Sequence, residues 1–215
     1  MKILLTQPIT AFVKEPPNIP DLGLGYIAAA LNKSGHSVYV RDWNMDPSAG
    51  DFKKWLSANR PDVIGLKVFT KDVFAAKKTI MYIRETLPHS IVIIGGPHPS
   101  SVDPAELMDD FAACDFAVKG EAELSLPALF YEISHKGENS YDGRLAQQNA
   151  LKIPGLVWRD KDQVYSNPIA FMHDLDSIDF PCWEMLDPDN YDVDMLGSAM
   201  KEGNTAPVIT TRGCP

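Results

Sequence analysis

The string Gly95-Gly96-Pro97-His98-Pro99-Ser100 directly follows four β-branched residues, Ile91–Ile94. Glycines at the end of a strand leave the backbone bare, so a flat ligand can lie close against it. The plainer alternative is a tight turn into a helix with a surface histidine. His98 is the one histidine in a loop that follows a strand; His36, His89, His135 and His173 precede strands or lie in polar stretches. No two of them have the spacing of metal ligands, which argues against zinc. Thr70-Lys71-Asp72 closes another apolar run, where Thr70 can hydrogen-bond a ligand or Asp72 can cap the next helix. Gly120-Glu121-Ala122-Glu123 opens a helix whose N-terminal dipole favours carboxylates. Leu22-Gly23-Leu24-Gly25-Tyr26 holds a GxG, with Ala28 where a dinucleotide fingerprint would place its third glycine. A Pro-rich stretch (Pro8, Pro16, Pro17, Pro20) separates this GxG from the first strand, and a nicotinamide site would need a tight turn there. There is no GxSxG nucleophile elbow. Cys114, Cys182 and Cys214 are an odd set without a CxxC, which is no disulfide framework.

These loops need a frame, and the first 135 residues supply one by alternating strand and helix. KILLT (2–6), SVYVRD (37–42), DVIGLKVF (62–69), Ile91–Ile94 and Asp115–Val118 read as strands. Between them, Asp21 caps a helix through Asn32 that Gly35 ends, and Asp51–Asn59 carries Phe52, Trp55 and Leu56 on one face. Asp72–Thr86, Ala105–Phe111 and Leu124–Ser134 follow as helices. Five successive β-α units predict a flavodoxin-like (Rossmann-like) doubly wound five-stranded parallel sheet with helices on both faces. In such sheets ligands sit beyond the carboxyl ends of the strands. Residues 136–150 are polar and read as a linker. Gly155–Trp158 and Gln163–Ser166 flank Arg159-Asp160-Lys161-Asp162 and read as a β-hairpin, and Pro207–Thr211 as a last strand.

The chain has 215 residues, of which 45% are hydrophobic, enough for one domain with an appendage. Its net charge of −9 disfavours nucleic acid as a partner. Residues 162–200 hold nine Asp or Glu and no Lys or Arg, and the remainder is neutral, so the acidity belongs to one connector. No apolar run approaches the ~20 residues of a membrane span. Met1-Lys2-Ile3 does not start a signal peptide, so a cytoplasmic protein is expected.

In order and spacing, LGLGYIAAALNKSGHSVYVRD (22–42), PDVIGL (61–66), IGGPHPS (94–100), VKGEAE (118–123) and PVITTRGCP (207–215) resemble the cobalamin-binding N-terminal domain of cobalamin-dependent radical S-adenosylmethionine enzymes. The resemblance covers essentially the whole chain. It implies a cobalamin-binding domain over 1–135, a linker, hairpin and acidic connector over 136–206, and at 207–215 the start of a radical S-adenosylmethionine barrel lying beyond the chain. It implies that the corrin ring and its nucleotide tail meet Pro8, Leu22, Gly23, Tyr26, Thr70, Lys71, Val73, Gly95, Gly96, Pro97, His98, Gly120 and Glu121. Cys214 would be the first ligand of a 4Fe-4S cluster, and S-adenosylmethionine a further cofactor of the full-length protein. The partner is then that barrel in the same chain, acting as a methyltransferase or cyclase on an unidentified small molecule, with no catalytic residue in these 215. Family members usually show GEGE where this chain has GEAE. The DxHxxG loop of many cobalamin proteins is here PITAFVKEPPNIP (8–20), without a histidine. The resemblance therefore implies a weak or water lower ligand on cobalt, which favours the cobalt(I) state. Two rivals share the fold: a scaffold that binds no cobalamin, and a receiver-like domain. A receiver needs an acidic pair after strand one and an Asp ending strand three, and Thr6-Gln7-Pro8 and Lys67–Thr70 supply neither.

Overall fold

The computed structural model describes residues 1–9, 20–43, 49–134, 150, 152–188, 191 and 207–212. The strands are β1 (Lys2–Thr6), β2 (Ser37–Arg41), β3 (Val63–Lys67), β4 (Ile91–Gly95), β5 (Phe116–Val118), β6 (Leu156–Asp160) and β7 (Gln163–Ser166). The helices are α1 (Leu22–Lys33), α2 (Ala49–Asn59), α3 (Val73–Thr86), α4 (Pro97–Ser101), α5 (Pro104–Asp110), α6 (Ala122–Ser134) and α7 (Trp183–Leu186). Asp21 caps α1, accepting from the Leu24 N–H at 3.1 Å. Asp103 caps α5 and Pro104 supplies its first residue, where no N–H is missed.

The strands form one sheet in the order β2-β1-β3-β4-β5-β6-β7. The first five are parallel, as the β-α alternation predicts. Alternation along each strand divides the core in two. Leu4, Ile64, Leu66, Val92 and Ile94 pack with Phe52, Leu56, Ile80, Ile83 and Leu107 from α2, α3 and α5. Ile3, Leu5, Val63, Ile93 and Val118 pack with Leu24, Leu31, Leu126, Leu129 and Phe130 from α1 and α6. Helices thus cover both faces, and the strand order reverses between β1 and β3, which is the switch point of such a sheet.

Three sequence expectations change. The hairpin is not an appendage: β6 pairs antiparallel with β5 and extends the sheet, with Ala117 opposite Val157. Leu156, Val157 and Trp158 are buried and complete both core layers, so this strand has apolar partners on either side. Residues 207–211 form no strand: they pair with neither edge of the sheet, β2 or β7, and an extended run without a ladder partner is not a strand. The string after β4, read as a loop, is instead a turn of helix, α4. Cys214, most of the Pro-rich loop and most of the 136–150 stretch lie outside the described residues.

Candidate functional site

The carboxyl ends of β1, β3 and β4 meet around the switch point. Lys67 ends β3 and places its ammonium 2.8 Å from both carboxylate oxygens of Asp21, the residue that caps α1. The Gln7 side-chain amide also donates to Asp21, at 3.1 Å. Asp21 is nearly buried, its side chain 9% exposed, and its carboxylate is paired with this lysine and with its helix N–H group. The pair spans the crevice between β1 and β3. Gly23 lies directly beside it: a β-carbon there would stand 3.2 Å from Asp21 Oδ1 and 3.4 Å from Lys67 Nζ. Sequence reasoning missed Lys67, although a lysine closing an otherwise apolar strand was the available signal.

One strand over, the two glycines differ. Gly96 sits at φ 100°, ψ −167°, a conformation essentially confined to glycine. A β-carbon there would press on the chain itself, 3.1 Å from both Val68 N and Val68 O and 3.0 Å from Lys67 Cγ. That crowding follows from two backbone hydrogen bonds. Val68 N–H donates to Gly95 O at 2.8 Å, and His98 N–H donates to Val68 O at 3.0 Å. The fold alone therefore already requires glycine at position 96. Gly95 is different. A β-carbon there meets only Val118 O, at an ordinary 3.7 Å, so packing does not explain its bareness.

α4 carries His98 into the interior, 7% exposed and edge-on to Phe111. Its Nδ1 lies 3.3 Å from Thr70 Oγ1, on the single 3-10 turn (Thr70–Asp72) after β3. Its Nε2 is buried and has no hydrogen-bond partner among the described residues. Leaving such a group unpaired costs ~1–3 kcal/mol, and unpaired buried polar atoms are rare. The structure thus joins Thr70, Gly95, Gly96 and His98. Thr70 and Pro97 are exposed, Pro8 and Leu22 are buried, and Lys71 is exposed on the same turn as Thr70. Val73 opens α3, half-buried against the core.

Tyr26, Gly120 and Glu121 belong to a second group. Gly120 N–H donates to Ser100 Oγ at 3.0 Å, tying the β5 loop to α4. Glu121 Oε2 accepts the Met172 N–H at 2.6 Å, and its other oxygen faces Arg212. The Arg212 guanidinium lies 2.7 Å from Glu123 Oε1 and 5.0 Å over the Tyr26 ring. Burial alone would lower the pKa of this guanidinium, but the hydrogen bond and charge of Glu123, then Glu121, raise it. Nothing in the sequence pattern pointed to Arg212. Elsewhere, Val40, Trp43, Trp55 and Tyr191 help line a cleft of about 500 Å³ beside β2 and α2. Among the described residues no cluster of His, Cys, Asp or Glu could hold a metal ion, and no helix is long and apolar enough to cross a membrane.

A doubly wound sheet with a bared backbone and an unpartnered buried histidine at its strand ends has the form of a ligand-binding α/β domain. The "B12 binding domain" family matches residues 11–130, more than half of the chain, and the chain belongs to that family. It is 28% identical over its whole length to an uncharacterized methyltransferase of Pyrococcus horikoshii, covering 44% of that protein. It is 24% identical to the anaerobic magnesium-protoporphyrin IX monomethyl ester cyclase of Rubrivivax gelatinosus, covering 92% of this chain and 34% of the cyclase. The chain thus spans less than half the length of these relatives. In fold it is similar to the cobalamin-dependent S-adenosylmethionine radical enzyme OxsB with aqua-cobalamin bound. The TM-score is 0.65 at 20% identity, over 86% of this chain and 25% of that one. The radical S-adenosylmethionine methyltransferase TsrM of Kitasatospora setae gives 0.62 at 22%, over 77% and 30%.

Proposed function

We propose that this chain is the cobalamin-binding part of a radical S-adenosylmethionine enzyme that methylates or cyclises a small molecule. The observation that carries the reading is the uncovered Gly95 at the end of β4 beside the buried, unpartnered Nε2 of His98 on α4. An open cradle and an orphaned polar atom fit a ligand with a flat ring and a polar tail. Gly95, Gly96, Thr70 and His98 would hold the tail, and Pro8, Lys71 and Pro97 would border the ring. When bound, cobalamin supplies a cobalt centre that can carry a methyl group. This chain's own residues do the positioning. Gly96 fixes the loop, the Val68 carbonyl holds α4 in place, and α4 buries the imidazole. Residues 8–20 hold no histidine, so this loop would offer a bound cobalt no imidazole ligand. The relatives' names support methyl transfer or ring closure as the reaction. A 4Fe-4S cluster begun by Cys214, S-adenosylmethionine and the substrate would belong to a barrel in the same protein.

The test is an absorbance titration of the 215-residue chain with hydroxocobalamin, followed by desalting. A retained, near-stoichiometric corrin spectrum without nitrogen-ligated features is expected. A folded chain that retains no corrin, alone and within the longer protein, would favour the scaffold reading instead.

A further inference from the structure

Arg212 stands apart from its neighbours. Residues 208–211 are exposed, Val208 at 77% and Ile209 at 45%, yet the Arg212 side chain is only 18% exposed. Its socket comes from two separated stretches, the start of α6 and α1. Glu123, 9% exposed, in the first turn of α6 takes Nη2 at 2.7 Å; Glu121 places Oε1 3.7 Å from Nη1; Tyr26 of α1 offers its ring face. Glu121 is itself held by the Met172 N–H, which ties in the acidic connector. Two carboxylates and an aromatic face, mostly shielded from water, make a specific receptor for a planar guanidinium. The parts also need each other, because an empty socket would leave two like charges near one helix end and a shielded carboxylate without its partner.

We propose that Arg212 is an intramolecular latch, held by Glu121, Glu123 and Tyr26, that fixes where the chain leaves the B12-binding domain. This gives Glu121 and Tyr26 a role other than touching a cofactor. The exit point then lies at the carboxyl edge of the sheet, the same edge that bears Gly95 and His98. The Gly120–Ser100 hydrogen bond links the two groups, since Ser100 belongs to α4. On the reading given under Proposed function, the latch sets the position of the segment carrying Cys214 relative to the bound cofactor.

The latch hides the one side chain that trypsin must insert into its specificity pocket to cut after Arg212. The experiment therefore compares the rate of release of Gly213–Pro215 from the folded chain with the rate from a synthetic 207–215 peptide. The latch predicts cleavage at least roughly tenfold slower in the folded chain, as expected for a charge-assisted, shielded pair. Glu123→Ala should bring the rate to within about threefold of the peptide while circular dichroism and the thermal midpoint still report a folded domain. Cleavage of the unaltered chain at the peptide's rate overturns the proposal. So does a folded Glu123→Ala protein cut as slowly as the unaltered one. Should Glu123→Ala fail to fold, Tyr26→Leu is measured the same way. A severalfold faster cut supports the latch, and an unchanged rate overturns it. No cobalamin enters this assay, so its failure is separable from failure of the cofactor reading, which rests on corrin retention.

Discussion

Gly95 and Gly96 are adjacent, yet the structure assigns them opposite behaviour on mutation to alanine. At Gly96 the alanine must either hold a backbone conformation that is essentially glycine's own, at ~1–3 kcal/mol, or relax away from it. Relaxation must move the new methyl off Val68 N and O, each 3.1 Å away and each in a backbone hydrogen bond. Losing one such bond costs ~1 kcal/mol. Whichever route is cheaper sets the cost, a destabilisation of about 1–3 kcal/mol, or roughly 2–12 °C in thermal midpoint for a chain of this size. At Gly95 the methyl meets only Val118 O at 3.7 Å, so Gly95→Ala should change stability by less than ~1 kcal/mol. Cofactor retention should not follow stability. Gly95→Ala, with its fold intact, is expected to lose cobalamin at least tenfold, because the bareness of that residue serves the ligand. The assay is urea unfolding of both variants without cofactor, followed by hydroxocobalamin titration and desalting. A Gly96→Ala protein with an unchanged unfolding midpoint would refute the strain reasoning, and a Gly95→Ala protein that retains cobalamin normally would refute the shelf. Gly96→Leu, larger still, should abolish retention, and a folded Gly96→Leu variant that titrates normally would sink the placement altogether.

Three further expectations are independent of that pair. His98→Leu removes an unpartnered buried nitrogen, so the cofactor-free midpoint should hold or rise while cobalamin retention falls at least tenfold; a midpoint several degrees lower would show that His98 serves packing instead. Burial pushes the Cys114 thiol far above its ordinary range and also raises Cys182, where a hydrogen bond from Asn32 partly offsets it. In a Cys214→Ser background at pH 8, a disulfide reagent should therefore label Cys182 slowly and Cys114 only on unfolding, and two fast thiols would contradict this. His36 is lowered from its ordinary 6.5, by burial and then by the chain's amino terminus. As pH falls through 6.5 the unfolded chain takes up this proton before the folded one does, so His36 removes stability over that range. Unfolding midpoints measured from pH 7.5 to 5.5 should fall less steeply in His36→Gln, and parallel curves would rule the contribution out.

The frame was legible because its signals are local. Each parallel strand showed as an apolar run, and Asp21, Asp103-Pro104 and the Gly35 stop mark helix ends by side chains close in sequence. What stayed hidden needed contacts between distant residues. That the hairpin joins β5 depends on Gly155, at φ 64°, whose carbonyl accepts the Lys119 N–H at 2.8 Å, and no periodicity encodes such a pairing. The α4 turn was masked by its composition, since two prolines among Pro97–Ser101 read as a loop, although proline suits a first helical turn. Of the candidate site, the strings were visible but their grouping was not. Thr70 and His98 are 28 residues apart and meet because β3 and β4 are neighbours. Glu121 and Tyr26 meet each other only through Arg212.

The switch crevice itself explains why the bared backbone lies one strand away from it. In a doubly wound sheet the gap between the oppositely running crossovers is the usual place for a ligand. Here the Asp21–Lys67 pair, locked by Gln7 and by the α1 cap, fills the gap between β1 and β3 with protein. Its charges satisfy each other, and a nearly buried aspartate whose lysine was drawn off would be left costly and unpaired. A ligand that displaced Lys67 would bear that cost. One that lies over β3 and β4 does not, and that is where Gly95 is uncovered and His98 is unpartnered. On the proposed reading the ion pair would form a wall of the site and not part of its floor. Lys67 also stands 5.2 Å over the exposed Phe69 ring, so the wall carries an aromatic face at the mouth of the β3 loop. A charged pair that closes the crevice and a glycine that leaves the adjacent strand end bare are two halves of one arrangement, and on the reading proposed above a ligand would lie along β3 and β4.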